Sequence, residues 1–201
     1  MTLDGAYSMS SADEAKAFYD RWAECYEAEM AEHNYATPLR CAQALAEHAV
    51  MPSAPLMEIG CGTGLGGAAL REAGFETIDG FDISPDMLER ARAKNIYRAL
   101  DLLDLSQPLE LPSDTYQNAA GIGVLNPNHM PTTVIDEVLN LLPSGGCFVF
   151  SLNDHSLADG RMETRILELT EYNVADLVFK EHGDVLPGIE LGGCVYVLKK
   201  R

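Results

Sequence analysis

The sequence predicts an α/β fold, an open and mostly parallel sheet with helices packed between its strands. Three observations predict it. Beyond Pro55, short apolar runs alternate with stretches of helical period. A glycine-rich turn, EIGCGTG, leaves the first of these runs, and an acid, Asp82, ends the second. At 201 residues and 47% hydrophobic content, the chain suits one domain that buries most of its apolar surface.

Taken in order, Ala15, Tyr19, Trp22, Tyr26 and Met30 recur at steps of three or four, which predicts one helix from Ser11 to about Met30 with an aromatic stripe. On that stripe Tyr19 and Trp22 read as core. A second helix is expected from about Pro38 to Val50, with Pro38 in its first turn and Pro52 and Pro55 beyond its end. Strands are expected at Leu56 to Ile59, Thr77 to Phe81, Ile96 to Ala99, Tyr116 to Ile122 and Cys147 to Ser151. Between them fit helices at Leu65 to Ala73, Pro85 to Lys94 and Thr133 to Leu142, the last stopped by Pro143 and the Gly145–Gly146 pair. A helix from about Arg161 to Tyr172 precedes two final runs, Leu177 to Lys180 and Gly193 to Leu198, joined by the loop HGDVLPGIELG. These two runs are antiparallel neighbours, because a parallel return needs a longer crossover.

A formal net charge of -17 repels phosphate backbones, so nucleic acid is not an expected partner. The five cysteines are odd in number and lack CxxC spacing, and the five histidines form no HExxH or HxxxH pattern, so reduced buried thiols are expected and no metal site. The first twenty residues carry Asp4, Asp13, Glu14 and Asp20 without an apolar run, which fits neither a signal peptide nor an anchor. No later segment has the length of a membrane-spanning helix, and a cytoplasmic location is expected.

Gly60, Gly62 and Gly64 turn the chain from the first strand into a helix. A residue without a Cβ lets backbone reverse tightly and approach a ligand, and the helix N-terminus supplies free N–H donors, so a nucleotide-type ligand is implied. Gly62, Gly64 and Gly67 also satisfy the GxGxxG pattern of NAD-binding proteins. The register differs from that fingerprint, since Gly60 ends the strand and Leu65 stands where its third glycine belongs. Asp82 follows Gly64 by eighteen residues and suits both hydroxyls of a ribose. Asp101, after the third strand, suits the exocyclic amine of adenine, with the Leu102 N–H beside it. Each acid also has a plain alternative: Asp82 as cap of the helix at Pro85, Asp101 as an ordinary loop acid.

The series EIGCGTG, FDISPDML, Asp101 and LLPSGGCFVFS resembles the motifs of class I methyltransferases that depend on S-adenosylmethionine (SAM), over roughly residues 12–200. Within that superfamily, FYDRWAECYE, NYATP, GVLNPNHMP and HGDVLPGIELGGCVYVLKK resemble the Williams-Beuren syndrome chromosome-region methyltransferase-like family. The resemblance implies a Rossmann-like seven-stranded sheet of order 3-2-1-4-5-7-6 with strand 7 antiparallel. It implies a helical lid over residues 1–52 and a core over residues 53–201. It puts Gly60, Gly62 and Gly64 under the methionine part of SAM, Glu58 near its amino group and Asp82 on the ribose. Ile83 and Met87 then line the adenine, Asp101 and Leu102 read its edge, and Gly121 and Ile122 lie near the sulfonium. Tyr26 closes over the cofactor and Tyr35 reaches its carboxylate. Two departures affect the lid and the substrate side: Glu27 replaces an aspartate, and Gln117 and Asn118 replace the acid that commonly starts the fourth strand.

In-line methyl transfer with S-adenosylhomocysteine (SAH) as product is what this resemblance implies, and the acidic charge points to a small-molecule acceptor. A methyl on positively charged sulfur carries its own activation, so positioning supplies most of the catalysis and no catalytic side chain is required. His129 and His155 are weak candidates for a base. Asn126, Pro127, Asn128 and His129 resemble the NPPY box of amine-directed methyltransferases but lack its second proline and its aromatic. An NAD-dependent oxidoreductase and a non-enzymatic SAM-binding module are the competing readings.

Overall fold

Period-two alternation along buried strands sets the architecture, because it sends successive side chains to opposite faces of one sheet. The computed structural model describes residues 11–128 and 130–201. Strands β1 (Leu56–Ile59), β2 (Ile78–Asp82), β3 (Ala99–Leu102), β4 (Asn118–Gly121) and β5 (Cys147–Asn153) run parallel. A hairpin of β6 (Ala175–Leu186) and β7 (Leu191–Lys200) completes the sheet, β7 pairing antiparallel with β5. The order is β3-β2-β1-β4-β5-β7-β6, as the resemblance implied.

Helices α1 (Ala12–Trp22), α2 (Tyr26–Glu32) and α3 (Thr37–His48) precede the sheet. Between strands lie α4 (Leu65–Glu72), α5 (Pro85–Ala93) and α6 (Val134–Leu141), followed by α7 (Asp154–Asp159) and α8 (Arg161–Glu171). On one face Met57, Ile59, Phe148 and Phe150 join Val138 and Leu139 of α6 and Ile166 of α8 in the core. On the other, Leu56, Ile78, Ala120 and Val149 pack with Leu45 of α3 and Leu70 of α4. Glu58 alternates with Leu56, so its carboxylate belongs to the α3 and α4 face.

Local chemistry explains the helix starts. Ser11 caps α1 by accepting the Glu14 N–H at 3.3 Å, Ser84 caps α5 through the Met87 N–H at 3.1 Å with Pro85 behind it, and Asn153 caps α7 through the Ser156 N–H at 3.0 Å. Sequence reading passed over α7, whose six residues are too few to show a period.

Three expectations need correction. The helix expected from Ser11 to Met30 breaks after Trp22, where the Cys25 N–H bonds the Trp22 carbonyl at 3.1 Å and tightens the chain into a turn. The Trp22 indole N–H then bridges to Glu29 at 2.7 Å, and the Trp22 and Tyr26 rings meet edge to face at 4.9 Å. β3 begins three residues later than expected, because Ile96 and Tyr97 pack against the α4 face before pairing starts. The closing loop HGDVLPGIELG is mostly strand, with a short 3-10 turn at Pro187–Ile189. Its tip is structured because Val185, Leu186 and Leu191 pack on Phe18, Trp22 and Met30, while the Ala36 N–H donates to the Val185 carbonyl at 3.0 Å.

Candidate functional site

β1, β2 and β4 end side by side where the strand order reverses, the point at which open α/β sheets bind ligands. Here the chain leaves β1 through Gly60 (φ 62°), Gly62 (φ 54°) and Gly64 (φ 92°), all in the left-handed region. A Cβ on Gly60 would overlap the Val124 side chain, whereas one on Gly62 would meet no atom within 4 Å and would project into open space. Gly64 caps α4 without a side-chain bond, so no capping side chain covers the N–H groups of its first turn.

Asp82 fastens this turn to β2. One carboxylate oxygen accepts the Gly62 N–H at 2.8 Å and the other accepts the Ser84 N–H at 2.9 Å. Ser84, and not Asp82, caps α5. Burial raises the Asp82 carboxyl above its ordinary range, the backbone bonds of Ser84 and Gly62 oppose that shift, and nearby Asp20 adds to it. Each oxygen retains acceptor capacity beyond its backbone bond.

A cleft opens over this turn, about 730 Å³ of empty space counted together with the solvent at its mouth. Of the residues expected at the cofactor, Tyr26, Gly60, Gly62, Asp82, Ile83, Met87 and Ile122 line it. Burial, together with Tyr35 and Tyr19, holds the Tyr26 hydroxyl well above the usual phenol range, so it stays protonated. Tyr19, expected as core, is only partly buried and also lines the cleft, while Trp22 is core as expected, 2% exposed.

The other candidates lie elsewhere. Glu58 is not among the lining residues: it sits beneath α4, where a Cβ on Gly66 would collide with it, and it accepts the Tyr97 hydroxyl at 2.7 Å. Gly64 and Gly121 shape the backbone beside the cleft. Asp101 and Leu102 are inside β3, paired with Phe81 and Asp82, and both are exposed, Leu102 by 62%. Because β3 runs three residues later than expected, Leu103, Asp104, Leu105 and Ser106 reach the cleft in their place. The repeated acid of the run LDLLD was the available signal, since Asp104 is the acid that truly follows the strand. Gly123, Val124 and Met130 line the cleft as well.

A second chamber, about 700 Å³ counted with the solvent at its mouth, adjoins the first, sharing Tyr19, Tyr26, Gly123 and Val124. Tyr35 lines this chamber, its hydroxyl standing where a Cβ on Gly123 would be. His155 is exposed on α7 and lines neither chamber, and His129 lies outside the described residues.

Two polar contacts hold the N-terminal helices against α5. The Ser84 hydroxyl donates to Asp20 at 2.6 Å, and Lys94 pairs with Glu27 at 2.7 Å. Glu27 therefore serves as an anchor between α2 and α5. At the fourth strand, Asn118 accepts the Cys147 N–H at 3.2 Å and its buried Nδ2 has no partner among the described residues.

Sheet order, glycine turn and buried aspartate together define the class, a Rossmann-like domain with the fold of SAM-dependent methyltransferases. Residues 56–146 match the family model described as a methyltransferase domain. Over 131 residues the chain is 37% identical to methyltransferase-like protein 27 of Homo sapiens, covering 64% of this chain and 54% of that protein. The chain thus spans about half the length of the curated relative it matches. Among solved structures, a TehB-like SAM-dependent methyltransferase from Corynebacterium glutamicum superposes with a TM-score of 0.66 at 19% identity, covering 92% of this chain and 99% of that one. Geranyl diphosphate C-methyltransferase from Streptomyces coelicolor, solved with Mg2+, geranyl-S-thiolodiphosphate and SAH, gives a TM-score of 0.60 at 12% identity over 80% of this chain and 75% of that one. At these identities the structural likeness is one of fold.

Proposed function

We propose that the protein is a SAM-dependent methyltransferase that acts on a small molecule, within the Williams-Beuren syndrome chromosome-region methyltransferase-like family, and works in the cytoplasm. The observation that carries the reading is the junction of Asp82 with the Gly62 N–H, which fixes a carboxylate beside an open left-handed glycine. The open space over Gly62 fits an adenosyl ligand, and a Cβ there would fill it.

Asp82 receives the ribose hydroxyls, Ile83 and Met87 flank the adenine, and the segment from Leu103 to Ser106 borders it. Gly60 and the first turn of α4 hold the methionine portion through backbone N–H groups, with Gly62 leaving the space it crosses open. When bound, SAM supplies a methyl group on a positively charged sulfur. Tyr19 and Tyr26 cover that region from the lid side and exclude water, while Gly123 and Val124 form the wall against which the acceptor is oriented. Orientation of this kind is worth about 7 to 11 kcal/mol of a barrier. The acidic surface disfavours a nucleic-acid acceptor.

Calorimetry with SAM, SAH and NADH tests the reading. Micromolar binding of SAH without binding of NADH is the expected result. The reverse pattern overturns it, and cofactor binding with no methyl transfer across a metabolite library would favour a non-enzymatic module.

A further inference from the structure

The second chamber has a composition the cofactor does not account for. Its described lining contains Tyr19, Trp22, Tyr26 and Tyr35 as aromatic surface and Thr37, Asn126, Ser151 and Asn153 as polar groups, and among the described residues no Asp, Glu, Lys, Arg or His. Two charged groups on the helices that line it, Glu29 and Arg40, are engaged by other partners. Glu29 accepts the Trp22 indole N–H, and the Arg40 guanidinium donates to the carbonyls of Glu181, Asp184 and Gly193 at 3.0, 2.9 and 3.2 Å. Thr37, 1% exposed, lines the chamber with its Oγ1 buried and, among the described residues, without a hydrogen-bond partner. An unpaired buried hydroxyl is unfavourable until something bonds it.

We infer that this chamber receives the methyl acceptor, and receives it uncharged: a molecule with a flat apolar body and one polar atom hydrogen-bonded to Thr37. The inference rests on the methyl-transfer reading, because the two chambers meet at Tyr19, Tyr26, Gly123 and Val124. An anion would enter a site without a cation, in a protein of net charge -17. An ammonium would find no carboxylate in the lining and has no lone pair with which to attack. The flat body suits the aromatic wall, where Tyr19 and Trp22 stack at 6.0 Å. In the transfer, a lone pair on the acceptor's oxygen, sulfur or nitrogen forms the bond to the methyl carbon as the sulfur–carbon bond breaks. That electron pair returns to sulfur, leaving neutral SAH, and the acceptor's proton passes to water.

Calorimetry at pH 7 with the full chain and saturating SAH tests this, using 2-naphthol, 2-naphthoate and 2-naphthylmethylamine as neutral, anionic and cationic probes of one ring system. The neutral probe should bind at least tenfold more tightly than either charged one. Thr37→Val should weaken 2-naphthol at least threefold and leave SAH affinity within twofold, and Val185→Phe should block 2-naphthol while SAH still binds. A charged probe that binds as tightly as 2-naphthol overturns the inference, as does binding of none of the three or unchanged 2-naphthol affinity in Thr37→Val. Displacement of SAH by 2-naphthol assigns the chamber to the cofactor and also overturns it. Failure of the unmodified protein to bind SAH is a different result, which removes the methyltransferase reading itself.

Discussion

The Tyr97 hydroxyl donates a 2.7 Å hydrogen bond to Glu58 beneath the first turn of α4, and its ring fills space left by glycines of two elements. A Cβ on Gly67 of α4 or Gly80 of β2 would overlap the ring, and one on Gly64 would press against it at 3.2 Å. The glycine turn after β1 is thus supported from below by the Tyr97 ring. Removing the hydroxyl in Tyr97→Phe leaves a buried carboxyl without this donor, at an expected cost of about 1 to 3 kcal/mol. Urea denaturation should read that loss, and Gly67→Ala should cost more because its Cβ meets the ring.

Burial pushes the Glu58 carboxyl up to about 8, with the Tyr97 bond opposing the shift and Asp82 adding to it. The unfolded chain ionises near pH 4.3, so the folded state holds an extra proton between that value and about pH 8. Stability therefore falls as pH rises through this window and levels off above it. Glu58→Gln removes this contribution while Asp82 and Cys61 remain. The melting temperature of the unmodified protein should drop relative to Glu58→Gln between pH 6 and pH 9, and parallel curves would show that Glu58 does not titrate in this window.

Asp82→Ala should weaken SAH binding at least tenfold, because a charged hydrogen-bond acceptor contributes about 1.5 to 3 kcal/mol. The variant also frees the Gly62 and Ser84 N–H groups, so the turn loosens with the lost contact. Calorimetry measures the effect, and circular dichroism should find the fold retained. Unchanged affinity would take Asp82 out of the site.

Gly62→Val should abolish cofactor binding and lower stability. The side chain fills the open space of the cleft, and a β-branched residue at φ 54° is strained. Normal SAH affinity in this variant would mean that the ligand does not cross Gly62.

Lys94→Ala should accelerate SAH release with little change in stability. The Lys94–Glu27 pair ties α2 to α5 but is partly exposed, so its worth is about 0.2 to 1 kcal/mol at low salt. Stopped-flow displacement at rising ionic strength should speed release from the unmodified protein toward the rate of the variant.

Helices and most strands were legible because their signals are local. Pro85 behind Ser84, the glycines after β1 and the alternation of β5 each act within a few residues. The shift of β3 was not legible: Ile96 and Tyr97 read as the opening of a strand, yet they are side chains spent on the α4 face. That single displacement moved the acid beside the cleft from Asp101 to Asp104.

By itself the sequence determined the α/β class, the glycine turn and the acid at the end of β2, since each depends on the stereochemistry of a few adjacent residues. Tertiary structure alone decided that Glu58 faces Tyr97 beneath α4, that the first helix breaks after Trp22, and that Thr37 lines a chamber without charged groups among its described residues. These depend on which distant faces meet. Contact between β6, β7 and the N-terminal helices is set by the burial of a shared core, and no local pattern in either segment encodes its partner.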